Sequence, residues 1–307
     1  MKKKRYENID KNASLSTFKD LLQWRRERKA KQKDLSFQVP TADEIEVEFL
    51  QSNRTISTIT WIGHSTFLIQ LNGKNILTDP IWANRLGLDK RLSPPGLKIR
   101  DLPPIDFVVI SHSHYDHLHY SSLKSLNGEP TFFVPIGLGN WFKRKGFRKT
   151  VEFSWWEEHE VAGLQFTFTP AQHWTKRTLT DTNRSHWGGW VIQDCSKQTI
   201  YFAGDSGYFK GFQEIGKKYD INYCLMPIGA YEPEWFMAAQ HVSPEEAIKA
   251  FVDTQAQTMI PMHYGAYRLA DDTPKEALDR LLAEWKKQKL TDERLEVLKI
   301  GETLRTD

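Results

Sequence analysis

The sequence predicts an α/β (α+β) fold built on two sheets with similar βββα wiring. Three observations lead there. Short β-prone runs at 56–62, 66–71 and 74–78 are followed by a run at 106–110 that is apolar after its first residue, Asp106. A comparable order returns at 187–193, 199–203 and 221–226. No Gly/Ser-rich linker interrupts residues 56–300, so both sets belong to one continuous domain, 56–307, behind a basic helical extension, 1–55.

The extension comes first. Residues 1–35 carry 12 Lys/Arg against 5 Asp/Glu, a charge of +7, which leaves the rest of the chain at −4 within a total of +3. Leu15, Phe18, Leu21, Leu22 and Trp24 recur at near-helical spacing beside Arg25, Arg26, Arg28 and Lys29. That pattern suits a helix lying on an anionic membrane surface, or one packed on the domain with its basic face in water. A nucleic-acid binder would spread positive charge over its folded face, so no nucleic-acid partner is expected.

In the body, Asn72-Gly73 separates two β-prone runs and favours a tight hairpin. The run at 106–110 reads as a buried strand, and the polar stretch 194–197 as the turn of the second hairpin. Ser243-Pro244-Glu245-Glu246 and Thr273-Pro274-Lys275-Glu276 each combine a hydroxyl cap, a first-position Pro and a Glu at the third position, so helices are expected over about 244–254 and 274–288. The halves also echo in chemistry. His64 precedes the first hairpin and Asp79 closes it, while His186 precedes the second and Asp205 closes it.

Composition removes several classes. In 307 residues, 39% hydrophobic and 12% aromatic content excludes a disordered chain. No run approaches the roughly 18 apolar residues of a membrane span, and the Lys-rich start lacks the apolar run of a signal peptide. The expected location is cytoplasmic, with peripheral membrane contact through residues 1–35. Cys195 and Cys224 are the only cysteines, which excludes a disulfide framework and leaves metal binding to His and carboxylate.

The strongest functional signal is Ser111-His112-Ser113-His114-Tyr115-Asp116-His117, directly after the buried run at 106–110. Four potential ligands in six positions can surround a metal only on a sharply turning loop, and a strand end supplies a rigid launch point. Four ligands rarely complete two shells. His173, Asp205 and His263 each follow a β-prone run and bring three more to sheet ends.

This constellation resembles the metallo-β-lactamase superfamily, whose four-layer αββα sandwich consists of two βββα halves. The resemblance spans about residues 56–300. Gly63-His64-Ser65-Thr66, Leu77-Thr78-Asp79-Pro80, His173-Trp174-x-Lys176-Arg177, Phe202-Ala203-Gly204-Asp205-Ser206-Gly207-Tyr208 and Pro227-Ile228-Gly229-Ala230-Tyr231-Glu232-Pro233 are similar, with the histidine cluster, to the N-acyl-phosphatidylethanolamine-hydrolysing phospholipase D branch. The resemblance implies a two-metal site. His112, His114 and His173 would bind one ion, Asp116, His117 and His263 the other, and Asp205 would bridge them.

Two ions about 3.5–4 Å apart sharing one water lower its pKa from near 15.7 to about 7, so the bridging hydroxide serves as nucleophile. Ligands of nitrogen and oxygen alone make zinc the first choice, with manganese and iron also compatible. Asp116 is assigned a catalytic role in hydroxide generation. His64 and Asp79 are expected beside the ligands, Asp79 orienting an imidazole. The resemblance makes Tyr115 and His241 substrate contacts. Lys176, Arg177 and Arg184 are candidates to pair with phosphate, and Trp174 and Trp235 to line an acyl groove.

The expected activity is metal-dependent hydrolysis of a lipid or small-molecule phosphodiester, of the phospholipase D type. A lactonase acting on a small phosphorylated sugar lactone is the alternative enzyme, supported by a small polar pocket and opposed by an open apolar groove. A membrane-surface binding protein that keeps its metals for stability is the alternative from a different class.

Overall fold

The computed structural model describes residues 4–11 and 17–306. Helix α1 (Phe18–Ala30) begins at Thr17, whose side chain accepts from the Asp20 amide while Asp20 caps Thr17 in return. Leu15 lies outside the described residues. A short helix α2 (Val47–Ser52) leads into strands β1 (Thr58–Gly63), β2 (Thr66–Leu71) and β3 (Lys74–Thr78), an antiparallel meander. Asn72-Gly73 makes the expected β2–β3 turn, with both residues at positive φ. A small β4 (Arg85–Leu86) and β5 (Asp89–Lys90) ribbon precedes β6 (Phe107–Val109), which joins β3 in parallel. Helix α3 (Tyr120–Lys124), β7 (Thr131–Pro135), α4 (Gly139–Arg144) and β8 (Thr150–Phe153) complete this half.

The second half repeats the scheme. Strands β9 (Glu158–Val161), β10 (Leu164–Thr169), β11 (Gly189–Asp194) and β12 (Thr199–Phe202) pair antiparallel in sequence. Across α5 (Gly211–Lys218), β13 (Tyr223–Pro227) adds in parallel to β12. Helices α6 (Glu234–Met237) and α7 (Pro244–Asp253) precede β14 (Thr258–Met262), also parallel. Helix α8 (Pro274–Lys287) follows, and β15 (Thr303–Arg305) returns to the outer edge of β1. Both predicted capping boxes are present, from Ser243 on α7 and Thr273 on α8.

Sheet order is β15-β1-β2-β3-β6-β7-β8 in one half and β14-β13-β12-β11-β10-β9 in the other. Side chains alternate across each strand, which fixes the layers. From β2, Phe67 and Ile69 enter the core between the sheets with Phe166, Phe168, Trp190 and Phe202 of the other half. Leu68 points the opposite way, into a second core with Leu50 of α2, Leu123 of α3 and Phe142 of α4. Ile215 of α5, Ile248 and Phe251 of α7 and Leu281 of α8 cover the far sheet. The result is the four-layer αββα sandwich. Both faces are buried along the whole of β1 and β2.

The extension adheres to this body. Val39 joins the inter-sheet core, Leu50 is fully buried, and Thr41 bridges to Ile300. Trp24 stacks on Phe236 and donates to Asp271, and Lys33 pairs with Glu232 and Glu276. Phe18 and Leu22 face outward. Among the described residues, no helix is long and apolar enough to cross a membrane.

Candidate metal centre

The site lies where strand ends from both sheets converge. After β6, the chain turns back through bonds from the His117 and Leu118 amides to the His114 carbonyl. Asp79, just past β3 at φ 33°, fixes the start of this loop by accepting from the Ser111 amide at 2.7 Å. Its other oxygen lies 2.6 Å from His117 Nδ1. Gly204 turns the end of β12 toward Asp205 at φ 64°, and a Cβ there would stand 2.8 Å from both the Gly188 carbonyl and Ser111 Cβ. His173 follows β10, with Nδ1 at 2.9 Å from the Gln240 carbonyl. His263 follows β14 and donates its amide to the His64 carbonyl.

Two groups of ligand-type atoms result. In one, His112 Nε2 and His173 Nε2 lie 2.9 and 3.2 Å from His114 Nδ1. In the other, Asp116 Oδ2 lies 3.1 Å from His64 Nε2, 3.1 Å from His117 Nε2 and 3.4 Å from His263 Nε2. Asp205 stands between them. Its Oδ2 is 3.2 Å from His117 Nε2 and 3.9 Å from His112 and His173 Nε2, and its Oδ1 is 3.2 Å from His263 Nε2. His241 Nδ1 approaches Asp205 Oδ2 at 3.9 Å.

These contacts suit cations better than they suit one another. His114 Nδ1 faces two imidazole nitrogens, and His117 Nε2 faces His263 Nε2 at 3.3 Å, where lone pairs meet unless protons intervene. Asp205 Oδ1 is buried without an aligned donor, a condition costing about 1–3 kcal/mol. The field is negative around the second group. Burial opposes charge on His117, yet Asp205, Asp116 and Asp79 raise its pKa well above the usual imidazole value. His263 is likewise pushed up to about 9 against its burial by Asp205 and Asp116. Burial dominates in the first group: His112 and His173 lie well below the ordinary value, and His114 is lowered to about 4. Neutral imidazoles on one side and carboxylate-rich surroundings on the other form a donor set that fits divalent ions.

His64 sits among the second group through Asp116, and Asp79 contacts His117. Tyr115 is half-exposed on the loop's outer face and donates to the Arg177 carbonyl. Trp174 packs edge-on to the His114 ring at 4.8 Å. Arg177 departs from expectation. Its Nη1 donates to the carbonyls of Ser113, His114 and Leu118, and its guanidinium covers the Tyr115 ring, so it braces the ligand loop. His186, the counterpart of His64 in the sequence echo, stacks on Tyr6 with Trp155 tilted against it and belongs to none of the ligand groups. Sequence reasoning missed Asn8, which accepts from the His173 amide at 3.1 Å. Beside His241 opens a cavity of about 240 Å³, lined also by Tyr231, Glu234, Ser243, Glu245 and Arg280.

Sandwich and convergent donor groups define a chain of the metallo-β-lactamase type. A family model described as the β-lactamase superfamily domain matches residues 74–264, and the chain belongs to the metallo-β-lactamase superfamily. Within it, the chain is 39% identical over 227 residues to N-acyl-phosphatidylethanolamine-hydrolyzing phospholipase D 1 of Caenorhabditis elegans. That match covers 68% of this chain and 64% of the relative, just under two thirds of the latter's length. A protein described as a metal-dependent hydrolase from Solibacter usitatus is 28% identical over 73% of this chain and 91% of its own. Among solved structures, Igni18, a metallo hydrolase from the archaeon Ignicoccus hospitalis, superposes with a TM-score of 0.64 at 24% identity, covering 82% of this chain and 99% of that one. This last likeness concerns the fold.

Proposed function

We propose that the protein is a metal-dependent hydrolase of phosphodiesters, with N-acyl-phosphatidylethanolamine as the leading substrate. The observation that carries this reading is the position of Asp205, within 3.2–3.9 Å of imidazoles from both ligand groups. His112, His114 and His173 would hold one ion, Asp116, His117 and His263 the second, and Asp205 would join them. Two bound ions would supply Lewis acidity and hydroxide at neutral pH. Zinc suits the nitrogen and oxygen donors, and manganese or iron fits the same set.

The chain's own residues do the rest. Asp116 stands where it can orient the attacking water while holding His64, His117 and His263 through one oxygen. Asp79 fixes the His117 tautomer by accepting a hydrogen bond from Nδ1–H, which leaves Nε2 for a metal. His241, whose Nδ1 is buried without a hydrogen bond, faces Asp205 and the adjoining cavity and is a substrate contact; exposed Tyr115 on the histidine loop is the second. In the hydrolysis, a water oxygen bonds to phosphorus, the bond to the ethanolamine oxygen breaks, and that oxygen takes a proton. Phosphatidate and an N-acylethanolamine result. The 39% identity to a phospholipase D named for that substrate supports the choice of substrate.

The cavity favours a second reading. Its modest volume and a lining that includes Glu234, Glu245 and Glu246 suit a small polar lactone better than an acyl chain. Mass spectrometry of products from N-acyl-phosphatidylethanolamine vesicles, with metal-loaded protein and an Asp116→Asn control, separates the two. Phosphatidate and N-acylethanolamine made only by the unmodified protein are expected. Absence of both products from fully metallated protein would reject the lipid reading and favour the lactone.

Residues 1–35 form the membrane-facing part of the proposal. On α1, exposed Phe18 and Leu22 adjoin exposed Arg25, Arg26 and Lys29, a combination suited to an anionic lipid surface.

A further inference from the structure

The segment at 4–11 runs along the connection between β10 and β11, the loop that carries His173. Its contacts recur along an extended stretch. The Tyr6 amide donates to the Asn183 carbonyl at 2.8 Å, and the Tyr6 ring stacks on His186 with centroids 4.5 Å apart. Gln172 Nε2 donates to the Asp10 carbonyl at 3.2 Å. Arg5 donates to the Thr182 carbonyl.

Asn8 lies at the centre of this strap. Its Oδ1 accepts from the His173 amide at 3.1 Å and from Trp187 Nε1 at 2.9 Å. The fully buried Trp187 indole also reaches the Ala171 carbonyl, so one carboxamide oxygen ties the ligand's backbone to a rigid core residue. On the other side, His173 Nδ1 donates to the Gln240 carbonyl. Held by its amide and by Nδ1, the imidazole presents the Nε2 lone pair toward His114 Nδ1 and Asp205.

We infer that Asn8 is a positioning residue for the metal centre, acting through His173 although it is 165 residues away in sequence. The inference rests on the reading of His173 as a ligand. It assigns the N-terminal segment a role in metal affinity that is separate from any lipid contact by α1. A partner that orients a metal-binding imidazole changes affinity about 10–100-fold when removed.

The test uses full-length protein, stripped of metal and titrated with cobalt(II), with a chelator competing and the visible bands recorded. Asn8→Ala should weaken one of two cobalt equivalents at least about tenfold and alter its band intensity. The other equivalent and the thermal midpoint of metal-free protein should stay near their original values. Asn8→Asp keeps the acceptor oxygen and should restore affinity to within about threefold of the unmodified protein. His173→Ala is the reference. If it loses one equivalent while Asn8→Ala binds both normally, the positioning role falls and the ligand assignment stands. If His173→Ala also binds both normally, both fall. A lowered metal-free midpoint with both equivalents weakened, unrescued by Asn8→Asp, would mark a merely structural contact and overturn the inference.

Discussion

Asp79 Oδ2 lies 2.6 Å from His117 Nδ1, at the junction of β3 and the histidine loop. The same carboxylate accepts from the Ser111 amide and hydroxyl, so it joins the loop's backbone to one of its candidate ligands. Asp79→Asn keeps one acceptor oxygen but sets an NH2 donor against either the Ser111 amide or His117 Nδ1–H, and it removes the charge that favours the Nδ1-protonated imidazole. Metal held by the Asp116, His117 and His263 group should weaken about 10–100-fold. Zinc retention against a graded chelator series measures this; unchanged retention at both equivalents would reject the orienting role.

Asp116 uses one oxygen toward three imidazoles. Asp116→Asn should lower turnover by about 100-fold or more, even at metal saturation, by the magnitude typical of a lost acid–base group. Single-turnover assays at verified full occupancy test it. Wild-type rates there would remove Asp116 from the chemistry and leave it as a ligand only.

Arg177 supplies a stability prediction. Its guanidinium bonds reach the carbonyls of Ser113 at 2.6 Å and Leu118 at 2.9 Å, and burial lowers its own pKa without threatening its charge. Charge-assisted bonds of this kind contribute about 1.5–3 kcal/mol each. Two such bonds make Arg177→Ala cost about 3–6 kcal/mol in urea unfolding, and Arg177→Lys should recover part of it, since all these bonds leave a single nitrogen, Nη1, and an ammonium also carries three donors on one atom, while the planar cover over Tyr115 is lost. A shift below about 0.5 kcal/mol for Arg177→Ala would mean that the loop is braced elsewhere.

Legibility from sequence followed the range of the interactions involved. Capping boxes at Ser243 and Thr273 and the Asn72-Gly73 turn depend on neighbours three or fewer positions away, and they stand where the sequence indicated. His112 to His117 were legible because ligand spacing is compact. His173, Asp205 and His263 could be selected only as residues at strand ends, and the structure gathers all three. Arg177 misled because a basic residue beside a ligand reads equally as a phosphate partner or a brace. The His64/His186 parallel failed in its chemistry for a packing reason: Tyr6, from a segment that no periodicity links to this loop, covers His186. Asn8 carries no local signal whatever.

The two cysteines should differ sharply in reactivity. Cys195 is exposed, whereas Cys224 is buried on β13 and burial pushes its thiol up to about 12, with a bond to Thr254 opposing. Folded protein at pH 8 should take up one alkylating label per chain, and two in denaturant. The raised pKa also carries a linkage. Below the ordinary thiol value near 8.5 the contribution of neutral Cys224 to stability is complete, and it is lost as pH climbs from there through about 12. Cys224→Ser unfolding curves should therefore lack that part of the alkaline decline. Rapid double labelling of native protein at pH 8 would contradict the burial argument.

The exposed stripe of α1 gives the final prediction, which concerns charge. Arg25, Arg26 and Lys29 lie on the same helix as outward-facing Phe18 and Leu22, while Trp24 and Arg28 turn inward to Phe236 and Asp271. Anchoring by the inward residues leaves the basic ones free to meet a surface without unfolding the extension. Each basic side chain near an anionic bilayer contributes about 1 kcal/mol, so replacing all three with Gln should lower partitioning onto phosphatidylserine vesicles by about 100-fold at low salt. Partitioning should also fall as salt shortens the Debye length, and the triple variant should show a weaker salt dependence. Cosedimentation with vesicles across a salt series measures both effects. Equal partitioning of the two proteins at every salt concentration would show that α1 serves the fold alone, through the contacts of Trp24 and Arg28 with the body.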